Sequence, residues 1–243
     1  MRKALLGLAG SLIGLLCVAA AHATPIETIE LKQVYTGYIP DGAAPWLTAS
    51  VAYGNSGNDL VLTLSSSLSG SDFLQGMQGQ NDNGAVGWAF NFVPVGSIAN
   101  ISCDSTLSTN CASKVALGGN YNSGPVPGTF NLAFGWDSGN RFQQGDTAVY
   151  DILLNSSETQ SLALVALPQQ NYIQENNAGW SSVAHIQGIQ QSCSGWVVSG
   201  SGSIADGGQV CGSRNVPEPS ELSVMLFGIT LLGGLYLRRR RAA

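Results

Sequence analysis

Side chains able to do acid–base or metal chemistry are scarce in this sequence. Of the two histidines, His22 lies in an N-terminal leader, so His185 is the one imidazole left for the folded part. A single imidazole builds no histidine metal cluster. A Ser-His-Asp triad through His185 is arithmetically possible, but no Gly-x-Ser-x-Gly elbow accompanies it. The ring falls in a strand pattern, Val183-Ala184-His185-Ile186, where a hydrogen-bonded structural role is expected. Paired carboxylates are the other route to catalysis, and Asp146 and Asp151 flank the start and middle of a strand pattern. Glycoside hydrolysis needs two carboxyls at a defined separation, usually with aromatics that grip the sugar. Trp46, Trp88 and Trp136 sit on strand patterns and are expected in packing, whereas Trp180 and Trp196, beside Gly-rich turns, are the candidates for an exposed glycan platform. Asn81-Asp82-Asn83-Gly84 and residues 137–146 carry the hard oxygen ligands that Ca²⁺ prefers, but neither fits the twelve-residue ligand loop, and turn chemistry explains both. No catalytic residue, cofactor or metal is expected.

Four cysteines remain beyond the leader: Cys103, Cys111, Cys193 and Cys211. An even number in an exported chain favours disulfides. Three pairings exist, and joining Cys103 to Cys111 and Cys193 to Cys211 closes the shortest loops. The spacings lack the tight knuckle of a zinc site.

Charge narrows the partners. Charged residues are 10% of the 243-residue chain, against roughly 25% in an average soluble protein. Between residues 24 and 215 four cations (Lys32, Lys114, Arg141, Arg214) face thirteen carboxylates, a net charge of −9. Such a surface repels phosphate backbones, which excludes nucleic acid as a partner.

The elements that must hold these side chains read as strands. Leu60, Leu62 and Leu64 share one face; Leu47, Ala49, Val51 and Tyr53 alternate with Trp46, Thr48, Ser50 and Ala52. Val86, Trp88, Phe90 and Phe92 form an aromatic stripe, repeated by Phe130, Leu132, Phe134 and Trp136, and by Ala148, Tyr150, Ile152 and Leu154. Period two with large residues on one side is the pattern of half-buried antiparallel strands. Asn, Ser and Gly clusters separate the runs. The fold class is therefore all-β, a single antiparallel β-sandwich, jelly-roll-like, over residues 24–215. Only residues 71–78 and 158–167 could hold a helical turn.

Both ends read as addresses. Arg2 and Lys3 precede an apolar run, and Ala21-His22-Ala23 supplies the small residues of a signal-peptidase site, so residues 1–23 form a signal peptide and Thr24 begins the mature chain. At the other end Val216-Pro217-Glu218-Pro219 is followed by an apolar segment, residues 220–237, and then by Arg238, Arg239, Arg240 and Arg241 within residues 238–243. The segment is long enough for one slightly short transmembrane helix. The arginines would stop transfer on the cytoplasmic side. Two prolines around Glu218 hold the backbone extended, as a protease requires.

This order of motif, span and arginine block resembles the PEP-CTERM sorting tail of Gram-negative bacteria, over about the last 28 residues. The resemblance implies export through the Sec translocon, processing by signal peptidase and exosortase, and delivery to the cell surface or an exopolysaccharide-rich biofilm matrix. The same tail occurs on proteins labelled ice-binding. The interior also resembles β-sandwich ectodomains that carry this tail, through Ala44-Pro45-Trp46-Leu47-Thr48-Ala49, Val86-Gly87-Trp88-Ala89-Phe90-Asn91-Phe92, Arg141-Phe142-Gln143-Gln144-Gly145-Asp146, Ala184-His185-Ile186-Gln187-Gly188-Ile189 and Ser194-Gly195-Trp196. That likeness implies fold and location, not an activity and not disulfides.

The expectation is a structural protein of the surface or matrix without catalytic activity, membrane-anchored before processing. A surface carbohydrate-binding module is the alternative. A glycan-acting hydrolase, which would need two carboxyls at catalytic spacing, ranks below it, as does an ice-binding protein, because the threonines Thr48 and Thr63 are isolated.

Overall fold

The computed structural model describes residues 25–54, 59–76, 87–93, 98–155, 172–205 and 207–211. The signal peptide, the sorting motif at 216–219, the expected transmembrane segment and the arginine block all lie outside these residues. So does the 158–167 segment read as a possible helical turn. Among the described residues there is no helix, and none is long and apolar enough to cross a membrane.

Alternating apolar residues form two antiparallel sheets. The smaller contains β1 (Glu27–Leu31), β3 (Leu47–Tyr53), β4 (Asp59–Ser66), β7 (Ile98–Cys103) and β11 (Thr147–Leu154), in the order β1-β3-β4-β11-β7. The larger is centred on β12 (Trp180–Ile189). One side of β12 pairs with β13 (Cys193–Gly200), which in turn pairs with β2 (Gln33–Gly37). Its other side meets β5 (Phe73–Leu74) and β6 (Trp88–Phe90). β6 leads to β9 (Val126–Gly135) and β8 (Lys114–Ser123), and β5 pairs with β10 (Phe142–Gln143). The segment from residue 71, a possible helical turn on composition, instead supplies the short strand β5. Its backbone has sheet partners on both sides, Phe142–Gln143 and Ile186–Gln187, and these override the local preference.

One core joins the two sheets. Leu47, Leu60, Leu62, Leu64, Tyr150 and Ile152 of the smaller sheet bury completely with Trp88, Phe90, Leu132, Phe134 and Ile186 of the larger. The Phe134 and Tyr150 rings meet across the gap at 4.7 Å. The Tyr150 hydroxyl accepts the Ala112 N–H at 2.7 Å, so this aromatic contact leaves no buried hydroxyl unpaired. The Trp88 Nε1–H donates to Ser182 Oγ at 2.9 Å, and that hydroxyl donates on to the Ala89 carbonyl at 3.0 Å.

Two features depart from the alternating pattern. Ala89, Phe130 and Ala133 belong to a second apolar cluster with Tyr121, Val126, Trp180, Val183 and Val198. The larger sheet is thus apolar on both faces, because Tyr35, Trp196 and residues of the β8–β9 hairpin pack on the face that alternation alone would leave wet. In the smaller sheet, Thr48 and Thr63 are not isolated in space. Register sets Thr28, Ser50 and Thr63 in one cross-strand row, and Glu30, Thr48, Ser65 and Thr147 in the next.

The core contacts give a direct stability test. Leu62→Ala, at a fully buried position, is expected to lower the unfolding free energy by about 2–5 kcal/mol in urea titration. Leu153→Ala, on the same sheet but 44% exposed, is expected to change it by no more than about 0.5 kcal/mol.

Candidate functional site

The two candidate platform tryptophans lie close to the same outer face, and neither stands free. Trp180, at the start of β12, is fully buried. The expectation that it presents a ring to a sugar is therefore corrected. Its neighbouring glycines, which suggested an exposed turn, do the opposite. Gly179, with φ +82°, lets its segment cross residues 201–202 so closely that a Cβ there would stand 2.9 Å from the Gly202 nitrogen. Gly202 then packs directly on the indole, and Tyr35 meets the ring edge-on at 5.7 Å.

Trp196 is half-buried. Antiparallel register sets it opposite His185, and the two rings stack at 4.4 Å with 11° between their planes. The tip of the β8–β9 hairpin reaches the same indole, since a Cβ on Gly124 would come within 3.0 Å of Cζ2. Imidazole and hairpin thus occupy surface that a sugar would need. His185 donates its backbone N–H to the Gly87 carbonyl at 3.0 Å, and among the described residues its Nδ1 has no partner. Burial pushes the imidazole pKa down to about 4, and no carboxylate opposes that shift. The ring is neutral at physiological pH, with no acid to orient it as a base.

The two carboxylates singled out in the sequence, Asp146 and Asp151, have different surroundings. Asp151 points outward on β11, where partial burial and the charges of Asp104 and Asp59 raise its pKa. Asp146 is occupied: its carboxylate accepts Asn110 Nδ2–H at 2.9 Å, the Gln143 N–H at 2.8 Å and the Thr109 hydroxyl at 3.4 Å. A third acid, Asp72, accepts the Asp41 N–H at 2.7 Å. Burial, together with the nearby Asp41 charge, pushes Asp72 up to about 6. It is 2% exposed, with no face left for a substrate.

Of the two oxygen-rich loops, residues 81–84 lie outside the described residues. In the other, three donors already engage the Asp146 carboxylate, and among the described residues no three His, Cys, Asp or Glu side chains gather around a metal position.

Both cysteine pairs are joined in the local pattern. Cys103 at the end of β7 bonds to Cys111, and Cys193 at the start of β13 bonds to Cys211. The first closes the 104–110 loop, which folds against β11 through Ser108 and Thr109; the Ser108 hydroxyl accepts the Val149 N–H at 2.8 Å. That loop faces residues 138–143, and together they line an open polar cleft of about 400 Å³. Thr109, Ser138, Asn140, Arg141, Gln143 and Asp146 line it. Asn110 joins its walls by donating to the Arg141 carbonyl at 2.7 Å as well as to Asp146. Sequence reasoning missed this cleft because its walls are some thirty residues apart. The available signal was the run Asp137-Ser138-Gly139-Asn140-Arg141, whose oxygen-rich residues point equally to a turn and to a Ca²⁺ loop.

No protein-family model, curated protein or solved structure matches the chain.

The histidine sets a pH signature. The unfolded chain holds His185 near its ordinary pKa of 6.5, the folded chain near 4. Between these values the unfolded state binds more protons, so this contribution to stability is present above the unfolded value and is lost as pH falls through the folded one. The loss is on the order of 3 kcal/mol. His185→Phe keeps an aromatic ring on Trp196 and removes the titration. In thermal melts its stability is expected to fall less than that of the wild type between about pH 7.5 and pH 4.5. Identical slopes would contradict the assignment.

Proposed function

We propose that this is an exported, exosortase-processed protein of the cell surface or exopolysaccharide matrix, acting as a structural component without catalysis. The observation that carries the reading is the order at the C-terminus: Val216-Pro217-Glu218-Pro219, an apolar segment, then Arg238 to Arg241. Two disulfides support it, since such bonds persist in oxidising compartments outside the cytoplasm. In this reading signal peptidase cuts between Ala23 and Thr24 after Sec translocation. The arginines halt the tail in the inner membrane, and exosortase acts at the extended Pro-Glu-Pro segment to release the domain.

The jelly-roll-like connectivity belongs to the same reading. Support comes from how often the chain changes sheets, as from β2 to β3, β4 to β5 and β10 to β11. Absence of catalysis is proposed on the placement of the acids: Asp72 is buried and Asp146 is engaged by three donors.

A carbohydrate-binding role is the second reading, favoured by the polar cleft beside Arg141 rather than by the tryptophans.

Intact-mass measurement of the protein recovered from cells that possess the processing enzyme tests the delivery. The expected mass starts at Thr24, includes four oxidised cysteines, and ends upstream of the arginines. Replacing Pro217 and Pro219 by alanine is expected to leave the tail attached and the protein in the inner-membrane fraction. Recovery of wild-type protein with Ala243 still in place would overturn the reading.

A further inference from the structure

We propose that the corner of the larger sheet carrying Ile39 and Val210 is a membrane-contact face, which rests on the phospholipid surface while the chain is tethered and parts from it once the tail is cut. The proposal deepens the reading above and rests on it, since residues 220–237 must first hold the chain in a bilayer.

The place where the chain leaves the domain carries the argument. Residues 208–211 run alongside the end of β2 as an added parallel edge. Gln209 donates its N–H to the Gly37 carbonyl at 3.1 Å, and its own carbonyl accepts the Ile39 N–H at 2.9 Å. Tyr38 donates its N–H to the Ser194 carbonyl at 3.2 Å, which sets this edge beside the turn between β12 and β13. Cys211 is then bonded to Cys193, just past that turn. The last fastened residue thus leaves the domain at this corner, and Val216 follows within about 18 Å of extended chain. On so short a lead, the surface around the exit is the part of the domain that a bilayer holding residues 220–237 meets.

That surface is apolar and uncharged. Val210 is 59% exposed, the highest value among the exposed large hydrophobic residues described, and Ile39 is 40% exposed. The parallel register of Tyr38 with Gln209 sets Ile39 abreast of Val210, so both side chains lie on one side of the paired edge. The stretches that meet here, residues 37–40, 188–195 and 207–211, hold no charged residue. Between residues 24 and 215 the net charge is −9, so an anionic bilayer repels the domain as a whole and tolerates this corner. Residues 207–217 carry one charge, the cation Arg214, which anionic headgroups attract.

Two aliphatic side chains hold a free domain only weakly. A short tether changes that, because it keeps the face at an effective concentration in the millimolar range beside the lipid. Cutting the tail removes the tether and leaves the negative domain to diffuse away. The contact therefore belongs to the unprocessed chain.

The test places the full-length protein in lipid nanodiscs of phosphatidylethanolamine and phosphatidylglycerol and reads hydroxyl-radical labelling of side chains by mass spectrometry. Leu117 and Leu153, comparably exposed and on other strands, serve as internal references. Ile39 and Val210 are expected to label at least about threefold less than these leucines, as seating in a headgroup layer requires. Ile39→Asp, with an unchanged melting temperature, is expected to raise Val210 labelling to the level of the references. The processed protein is expected not to float with vesicles of the same lipids. A chain that does not enter the discs would overturn the membrane anchoring as well as this face. With the chain in the discs, equal labelling of all four residues would overturn this face alone. So would protection of Val210 that survives Ile39→Asp, flotation of the processed protein, or protection that appears only when exosortase is added.

Discussion

Everything in this fold follows from a sheet that is apolar on both faces. β12 shows the constraint: Val183 belongs to the outer cluster, while Ala184 and Ile186 belong to the core between the sheets. A strand of this kind needs cover on two sides. The smaller sheet supplies one side, with Tyr150 reaching across to Phe134. The other is supplied by packing of Tyr121, Val126 and Phe130 from the β8–β9 hairpin, with Tyr35 and Trp196. Burial of that second face places Trp180 inside and holds Trp196 against His185. Aromatic surface that might have gripped a ligand is consumed as structure. Binding chemistry is left to the loops.

The loops at the β10 end are fastened without being covered. The Cys103–Cys111 bond, the Asn110 amide and the three hydrogen bonds to Asp146 hold the 104–113 and 137–146 segments together from the inside. Internal fastening leaves hydroxyl and amide side chains such as Ser138, Asn140 and Gln143 along the cleft.

Much of this was legible from periodicity, and the limit is physical. Alternation in Leu60-Val61-Leu62-Thr63-Leu64 states which side chains share a face, and in the smaller sheet that was enough. It does not state whether the opposite face meets water or another part of the chain. Ala89 and Ala133 carry no signal of their own, and they are buried with Tyr121, Val126, Trp180, Val183 and Val198, which come from four different strands. The glycines near Trp180 were misread for a related reason: glycine permits exposure at a turn and close approach in a crossing equally well, and only the partner segment decides. Hydroxyl rows show the same limit in reverse. Thr63 has no threonine neighbour along its strand, yet register brings Ser50 and Thr28 alongside it.

The second disulfide connects this architecture to the proposed processing. Cys211 is bonded to Cys193 at the turn into β13, and Ile39 donates its N–H to Gln209 at 2.9 Å, so the chain is fastened to the edge of the larger sheet until residue 211. Four residues lie between that fastening and Val216, and the five residue steps span at most about 18 Å of extended chain. A domain on so short a lead has to sit close to any membrane that holds residues 220–237. In the proposed processing the cut falls beyond this disulfide, at a segment whose two prolines lack the N–H that a sheet ladder or a helix would use. A bond at Cys211 places the last fastened residue just upstream of the proposed cut, so a domain released there would keep both disulfides.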